Sequence, residues 1–348
     1  MSGETVLVTG GTGFLATRCV AQALQAGYRV RTTVRDPGKE RRVRAAVTAA
    51  GVPEDAPLTV AVADLTRDDG WAAATAGCAY VLHVASPLPA GRPDHEDDVI
   101  VPAREGTLRV LRAARDAGVE RTVVTSSFAA VGYGHPPTGR RFTEEDWTDT
   151  SAPVGAYIKS KTLAERAAWD FVDREGGGMT LSAVNPVGIF GPVLGPWLSA
   201  SVGLVKSLLD GALPGTPRIA FAVVDSRDAA DLHLRAMTRP EAAGERFLAA
   251  SGDAQSLHGI ALVLRERLGP AADRVPTRVL PDWLVRALAL VRPELRETTA
   301  NLGKVRRLDA GKARRVLGWE PRPSGDTLAD TATSLADHGL LAPRRRKR

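Results

Sequence analysis

Thr9-Gly10-Gly11-Thr12-Gly13-Phe14-Leu15-Ala16 follows directly on the apolar run Val6-Leu7-Val8. A short apolar strand that breaks into glycines and then into an amphipathic stretch is a strand–turn–helix unit. Glycine allows the tight turn and a close backbone approach to phosphate, and the small Ala16 lets helix and strand pack closely. The helix N-terminus offers free amides and the positive end of its dipole to a pyrophosphate. Gly10, Thr12, Gly13, Phe14 and Leu15 are therefore candidate dinucleotide contacts. The glycine pattern alone is weak, and its weight comes from what surrounds it.

Outward from this turn, apolar runs alternate with amphipathic stretches. Residues 5–9, 29–34, 58–62, 80–84, 122–125 and 179–184 read as strands. Between them, 13–26, 38–50, 68–76, 96–117 and 155–175 read as helices. Continuous Val/Leu/Ala strands separated by helices predict a parallel sheet covered on both faces. The expected fold class is α/β, a doubly wound parallel sheet of the dinucleotide-binding (Rossmann) kind, with ligands at the carboxyl ends of the strands.

After Asn185 the texture changes. Pro186, Pro192, Pro196, Pro214 and Pro217 mark a loop-rich region with one helix over 199–210. A helix over 226–238, a strand over 245–249 and helices over 256–268, 282–291, 309–317 and 325–338 follow. The expected division is a dinucleotide-binding domain over 1–185, to which 219–240 returns. A smaller substrate-binding lobe takes 186–218 and 241–341, and 342–348 is expected to be a disordered basic tail.

At 348 residues the chain buries a substantial core. Its net charge of +6 resembles that of a nucleic-acid binder until it is located, because Arg344, Arg345, Arg346, Lys347 and Arg348 supply five of the six. A nearly neutral body lacks that electrostatic footprint. Cys19 and Cys78 have no metal-ligand neighbours and the six histidines no metal spacing, so no metal is expected. The longest apolar runs are too short for a membrane span, and no signal segment opens the chain. Reduced, buried thiols and a cytoplasmic location are the expectation, with a monomer or homodimer as the assembly.

The end of the second strand selects the cofactor. NAD sites place an acid there, whereas this strand ends Thr33-Val34-Arg35-Asp36. A guanidinium at Arg35 makes paired bonds to phosphate oxygens and favours the 2′-phosphate of NADP, with Lys39, Arg41 and Arg42 as reinforcement. Asp36 keeps NAD open as the lesser alternative. Asp64 and Leu65, after the third strand, are candidates for the adenine side. Val84, Ala85 and Ser86, after the fourth, stand where the cofactor should cross the sheet, and Thr125 closes the fifth.

Tyr157 and Lys161 lie four apart on the fifth helix and share one face. A free phenol has a pKa of about 10, and a nearby ammonium stabilises the phenolate and lowers that value. Ser127, at the end of the fifth strand, can donate to a substrate oxygen where charge builds. This trio is a proton-delivery device for carbonyl chemistry, with a nicotinamide cofactor as hydride source. Ser126 stands beside Ser127 and leaves the hydroxyl's identity open by one position. Phe128, Tyr133, Phe190, Leu194 and Trp197 are candidate apolar lining, which suggests an apolar or aromatic small-molecule carbonyl as the partner.

The chain resembles the extended short-chain dehydrogenase/reductase family, and within it the dihydroflavonol-reductase-like aldehyde and ketone reductases. The resemblance rests on 9–16, 33–37, 83–87, 102–117 (PAREGTLRVLRAARDA), 125–131, 157–169 (YIKSKTLAERAAW), 185–192, 224–237 (VDSRDAADLHLRAM) and 312–321 (KARRVLGWEP). It implies Ser127, Tyr157 and Lys161 as the catalytic triad, Arg35 as reader of NADPH, and Pro186 and Val187 against the nicotinamide edge. The segment 132–155 is short and rich in glycine and proline, so substrate specificity does not carry over. Three rival readings share the scaffold: a 3-beta-hydroxysteroid dehydrogenase-like enzyme, a nucleotide-sugar epimerase or dehydratase, and an NADP-sensing protein without chemistry. The loop 186–218 holds only Lys206 and Arg218 as cations, which argues against a sugar-diphosphate substrate.

Overall fold

Val6, Leu7 and Val8 are wholly buried, as a central strand covered on both faces requires. The computed structural model describes residues 3–87, 94–136, 138–292 and 295–343. Its strands are β1 (Thr5–Val8), β2 (Arg29–Val34), β3 (Leu58–Val62), β4 (Tyr80–His83), β5 (Arg121–Thr125), β6 (Thr180–Pro186), β7 (Gly188–Phe190), β8 (Ala220–Phe221), β9 (Val223–Asp225), β10 (Arg246–Ala249) and β11 (Gln255–Ser256). Its α-helices begin with α1 (Phe14–Gln25), α2 (Glu40–Ala49), α3 (Trp71–Thr75), α4 (Asp97–Asp116), α5 (Ala156–Glu175) and α6 (Ala200–Leu209). They continue with α7 (Ser226–Thr238), α8 (Leu257–Leu268), α9 (Asp282–Val291), α10 (Arg296–Ala300), α11 (Gly311–Leu317) and α12 (Ser324–Asp337).

Seven strands pair in the order β3-β2-β1-β4-β5-β6-β10, and every pairing is parallel. The order reverses between β1 and β4, which opens a crevice at their carboxyl ends. One face is covered by α1, α2 and α7, whose Val20, Leu24, Val43, Leu232 and Met237 share a core. The other is covered by α3, α4 and α5 through Trp71, Val110, Leu111 and Phe171. A separate core, with Phe190, Val202, Leu257 and Leu328, packs β7, α6, α8 and α12 together where the substrate lobe was expected.

The strand expected over 245–249 does not stand in that lobe. As β10 it pairs with β6 and extends the main sheet, and its four residues are all buried. The chain leaves the sheet for some sixty residues before returning, and local pattern carries no trace of that pairing. The pairs β7–β9 and β8–β11 are two or three residues long, below what periodicity resolves. Of the expected tail, 344–348 lies outside the described residues. Ala342 is tied down instead, its amide donating to Asp210 at 2.7 Å. No described helix is long and apolar enough to cross a membrane.

Candidate active site

Gly10 turns the chain at φ 76°, and its amide donates to Thr33 Oγ1 at 2.9 Å. A Cβ built there would stand 3.0 Å from the Ala85 Cβ. Glycine is therefore demanded twice over, by the backbone angle and by the close approach of the two strand ends. Gly13 caps α1 without any side-chain cap, which leaves the first amides of the helix for an anion. Thr9 Oγ1 accepts from the Ala85 amide at 2.9 Å and bonds His83 Nδ1 at 3.0 Å, fixing 84–86 against the turn.

Around this turn stand the predicted selectors. Arg35 is exposed at the end of β2, with Lys39 in the 3-10 turn Pro37–Lys39. Asp36 caps that turn, accepting from the Gly38 amide at 2.9 Å. Asp64 is held below the usual carboxylate range, chiefly by the Thr66 amide and to a lesser degree by Arg35. Arg42 reaches the turn itself, donating to the Thr12 carbonyl at 3.1 Å. Its guanidinium lies 4.0 Å over the Trp197 ring. Leu194, Gly195 and Trp197 line a small cavity with Gly11, Thr12 and Gly13. Leu194 and Trp197, expected on the substrate wall, thus stand over the glycine turn.

On α5, Tyr157 opens the first turn and is 40% exposed. Lys161 follows one turn later, its Nζ 3.5 Å from the Thr125 carbonyl. Burial pushes the Lys161 amine down to about 8, against the pull of Glu165. Thr125 Oγ1 bonds His233 Nε2 at 2.7 Å, and His233 Nδ1 lies 2.7 Å from the Ala229 carbonyl. A carbonyl only accepts, so Nδ1 carries the proton and Nε2 receives the threonine hydroxyl. Burial lowers His233 to about 4. Burial and then the Lys161 charge lower His83 to about 3, so both rings are neutral at pH 7. Ser86, Thr125, Ser126 and Lys161 line one cavity at the ends of β4 and β5.

The two serines differ. Ser126 is buried and donates its hydroxyl to Glu165. Ser127 Oγ accepts from the Ala129 amide at 3.1 Å, capping the short turn Phe128–Ala130, and keeps its own proton to donate. Beyond it, Phe128 packs edge-on against Tyr133 and Phe142, with centroids 6.1 and 6.3 Å apart. The Arg306 guanidinium covers Tyr133 at 3.9 Å. Phe190 takes no part in this wall. It is 1% exposed and stacks on Phe221 in the core that also holds Val202, Leu257 and Leu328. Pro186 is buried and Val187 partly buried at the end of β6.

The polar run near 225 joins elements together. Arg227 pairs with Asp225 at 2.7 Å and with Asp330 of α12 at 2.5 Å. Arg322 pairs with Asp228 at 2.8 Å. The sequence pattern did not single out Glu165, which receives the Ser126 hydroxyl, or Arg306, which covers Tyr133. Glu165 alone left a signal, falling four residues after Lys161 on the same helical face. No metal-binding cluster exists among the described residues.

The model of the NAD dependent epimerase/dehydratase family matches residues 6–250. The chain belongs to that family, the extended short-chain dehydrogenases/reductases. A ketoreductase of Aspergillus niger is 31% identical over 355 residues, covering 96% of this chain and 98% of that one. A cinnamoyl-CoA reductase of Medicago truncatula is 36% identical over 252 residues, covering 71% and 76%. Among solved structures, the yeast methylglyoxal/isovaleraldehyde reductase complexed with NADPH superposes with a TM-score of 0.78 at 28% identity. That match covers 97% of this chain and all of the yeast enzyme.

Proposed function

We propose that this chain is an NADPH-dependent reductase that converts an aldehyde or ketone to an alcohol. One geometry carries the reading. A half-open phenol starts α5, and the Lys161 amine one turn on stands 3.5 Å from the carbonyl of Thr125, the last residue of β5 and two positions before Ser127. The glycine turn fits a dinucleotide, since a Cβ at Gly10 would crowd the cradle and the α1 amides lack a side-chain cap. The turn would hold the pyrophosphate, and Arg35 with Arg42 the 2′-phosphate. Asp36, the residue that left NAD open, caps its own turn. The yeast reductase complexed with NADPH supports the same cofactor choice.

When bound, NADPH supplies the hydride. Ser127 donates a hydrogen bond to the carbonyl oxygen, where negative charge grows as the carbon is reduced. Tyr157 gives its proton to that oxygen and becomes a phenolate. The Lys161 ammonium holds the phenolate until solvent reprotonates it. The partly buried Tyr133, backed by the buried Phe128 and Phe142, gives the region after Ser127 an aromatic character, which favours an apolar or aromatic carbonyl. The test is a panel of such carbonyls, followed by loss of reduced-nicotinamide absorbance. Tyr157→Phe should lower kcat by about 10²–10⁴-fold with NADPH binding intact. Unchanged turnover in that variant overturns the mechanism.

A further inference from the structure

Glu165 is 1% exposed, yet three elements besides its own helix bring donors to its carboxylate. Ser126, at the end of β5, donates its hydroxyl to Oε2. Asn185, in β6, donates to the same oxygen at 2.7 Å. Arg246, in β10, donates to Oε1 at 2.6 Å, and Trp169 of α5 reaches it at 3.4 Å. Arg246 carries the tie outward, donating to the Glu144 and Asp146 carbonyls at 2.6 and 2.9 Å. Its guanidinium also lies 3.8 Å over Trp147.

These partners adjoin the proposed chemistry. Ser126 precedes Ser127, and Asn185 precedes Pro186. The Asn185 amide also donates to the Ser127 carbonyl at 3.2 Å. Lys161 and Glu165 share one face of α5, so the tie fixes the strand end relative to the helix that carries Tyr157. As a source of stability such a buried pair is a poor device, because an apolar pair of similar volume often serves as well or better.

We propose that Glu165 is a positioning residue for the reacting centre. It locks Ser127 and Asn185 to the helix bearing Tyr157 and Lys161, and its charge keeps the Lys161 amine protonated. The inference rests on the reading of Tyr157 and Lys161 as the proton-delivering pair. Lys161 faces neutral His83 from β4, the Thr125 carbonyl from β5 and Glu165 on its own helix, with Tyr157 one turn before it. Arg246 of β10 stands behind Glu165, while Ala103 and Thr107 of α4 line the same cavity and bring no charge. Among the described residues Glu165 is thus the one anion facing this amine, and removing its charge should release the proton earlier.

The experiment uses whole protein labelled with ¹³C-lysine, the Lys161 Cε resonance assigned with Lys161→Met. In Glu165→Gln the Lys161 titration should move to lower pH. The kcat for carbonyl reduction should fall about 10–100-fold, with the NADPH Kd unchanged. Should that variant fail to fold, Glu165→Gln combined with Arg246→Met removes both charges and should again lower the titration. A Lys161 titration that stays at its original pH in a folded variant overturns the proposal. So does a kcat that falls only in step with thermal stability. Tyr157→Phe in the same assay reports on the catalytic reading separately, since its turnover is independent of where Lys161 titrates.

Discussion

In the proposed mechanism Lys161 meets two demands that pull apart. Holding a phenolate requires an ammonium, while burial penalises that charge and lowers the amine from 10.5 to about 8. Activity that depends on the ammonium should therefore decline as pH rises through about 8. The stability effect has the opposite sign. Between about 8 and 10.5 the unfolded chain holds a proton on this lysine that the native chain has released. Raising pH through that window thus relieves a native-state penalty. The expected outcome is an alkaline limb in kcat/KM with no loss of melting temperature from this residue. Profiles of kcat/KM and Tm from pH 6 to 10 check it, and a flat rate across that range would contradict the role. Lys161→Met should remove most turnover while leaving the fold intact, because the substitution keeps the apolar stem and drops only the amine.

At the scale of elements, the glycine turn, the start of α2 and the loop carrying Trp197 form one unit around Arg42. Arg35 and Arg42 approach from the end of β2 and from α2, so neither alone defines the proposed phosphate site. Arg35→Ser and Arg42→Ser should each weaken NADPH about tenfold or more, the scale of a lost charge-assisted bond. NADH, which has no 2′-phosphate, should bind much as before in Arg35→Ser and lose less than NADPH does in Arg42→Ser, where the lost bond to Thr12 also loosens the glycine turn. Equal losses for both cofactors, measured by fluorescence titration, would place these arginines elsewhere. The glycine turn was legible in the sequence because a strand, its turn and the following helix are contiguous. That Tyr157 and Lys161 share one helix was legible for a related reason, since one helical turn sets their spacing. Trp197 over the turn, Phe190 in the lobe core and β10 beside β6 were not. Each depends on contacts between residues far apart in the chain, where the choice among apolar partners is made by packing. Arg246 against Glu165 is the same case at the candidate site, the partners being 81 positions apart.

Across the whole molecule, two histidines lie inside the body with no exposed face, His83 2% and His233 0% exposed. His83 anchors the Thr9 hydroxyl between β1 and β4, and His233 joins α7 to the end of β5 through Thr125. Burial holds their pKa values at about 3 and about 4, against 6.5 in an open chain. Between pH 6.5 and about 4 the unfolded chain binds protons at both positions and the native chain does not, so stability must fall as pH falls. Each histidine contributes at most about 1.4 kcal/mol per pH unit to that slope. The melting temperature should accordingly decline on acidification through this window, in buffers of matched ionic strength. His233→Gln keeps a polar group near Thr125 but cannot titrate. It should start from a lower Tm at pH 7 and lose less of it by pH 5 than the native chain does. Parallel Tm curves for the two proteins would assign acid sensitivity to other groups. A His233→Gln curve that falls more steeply would show that the ring is already charged in the native state.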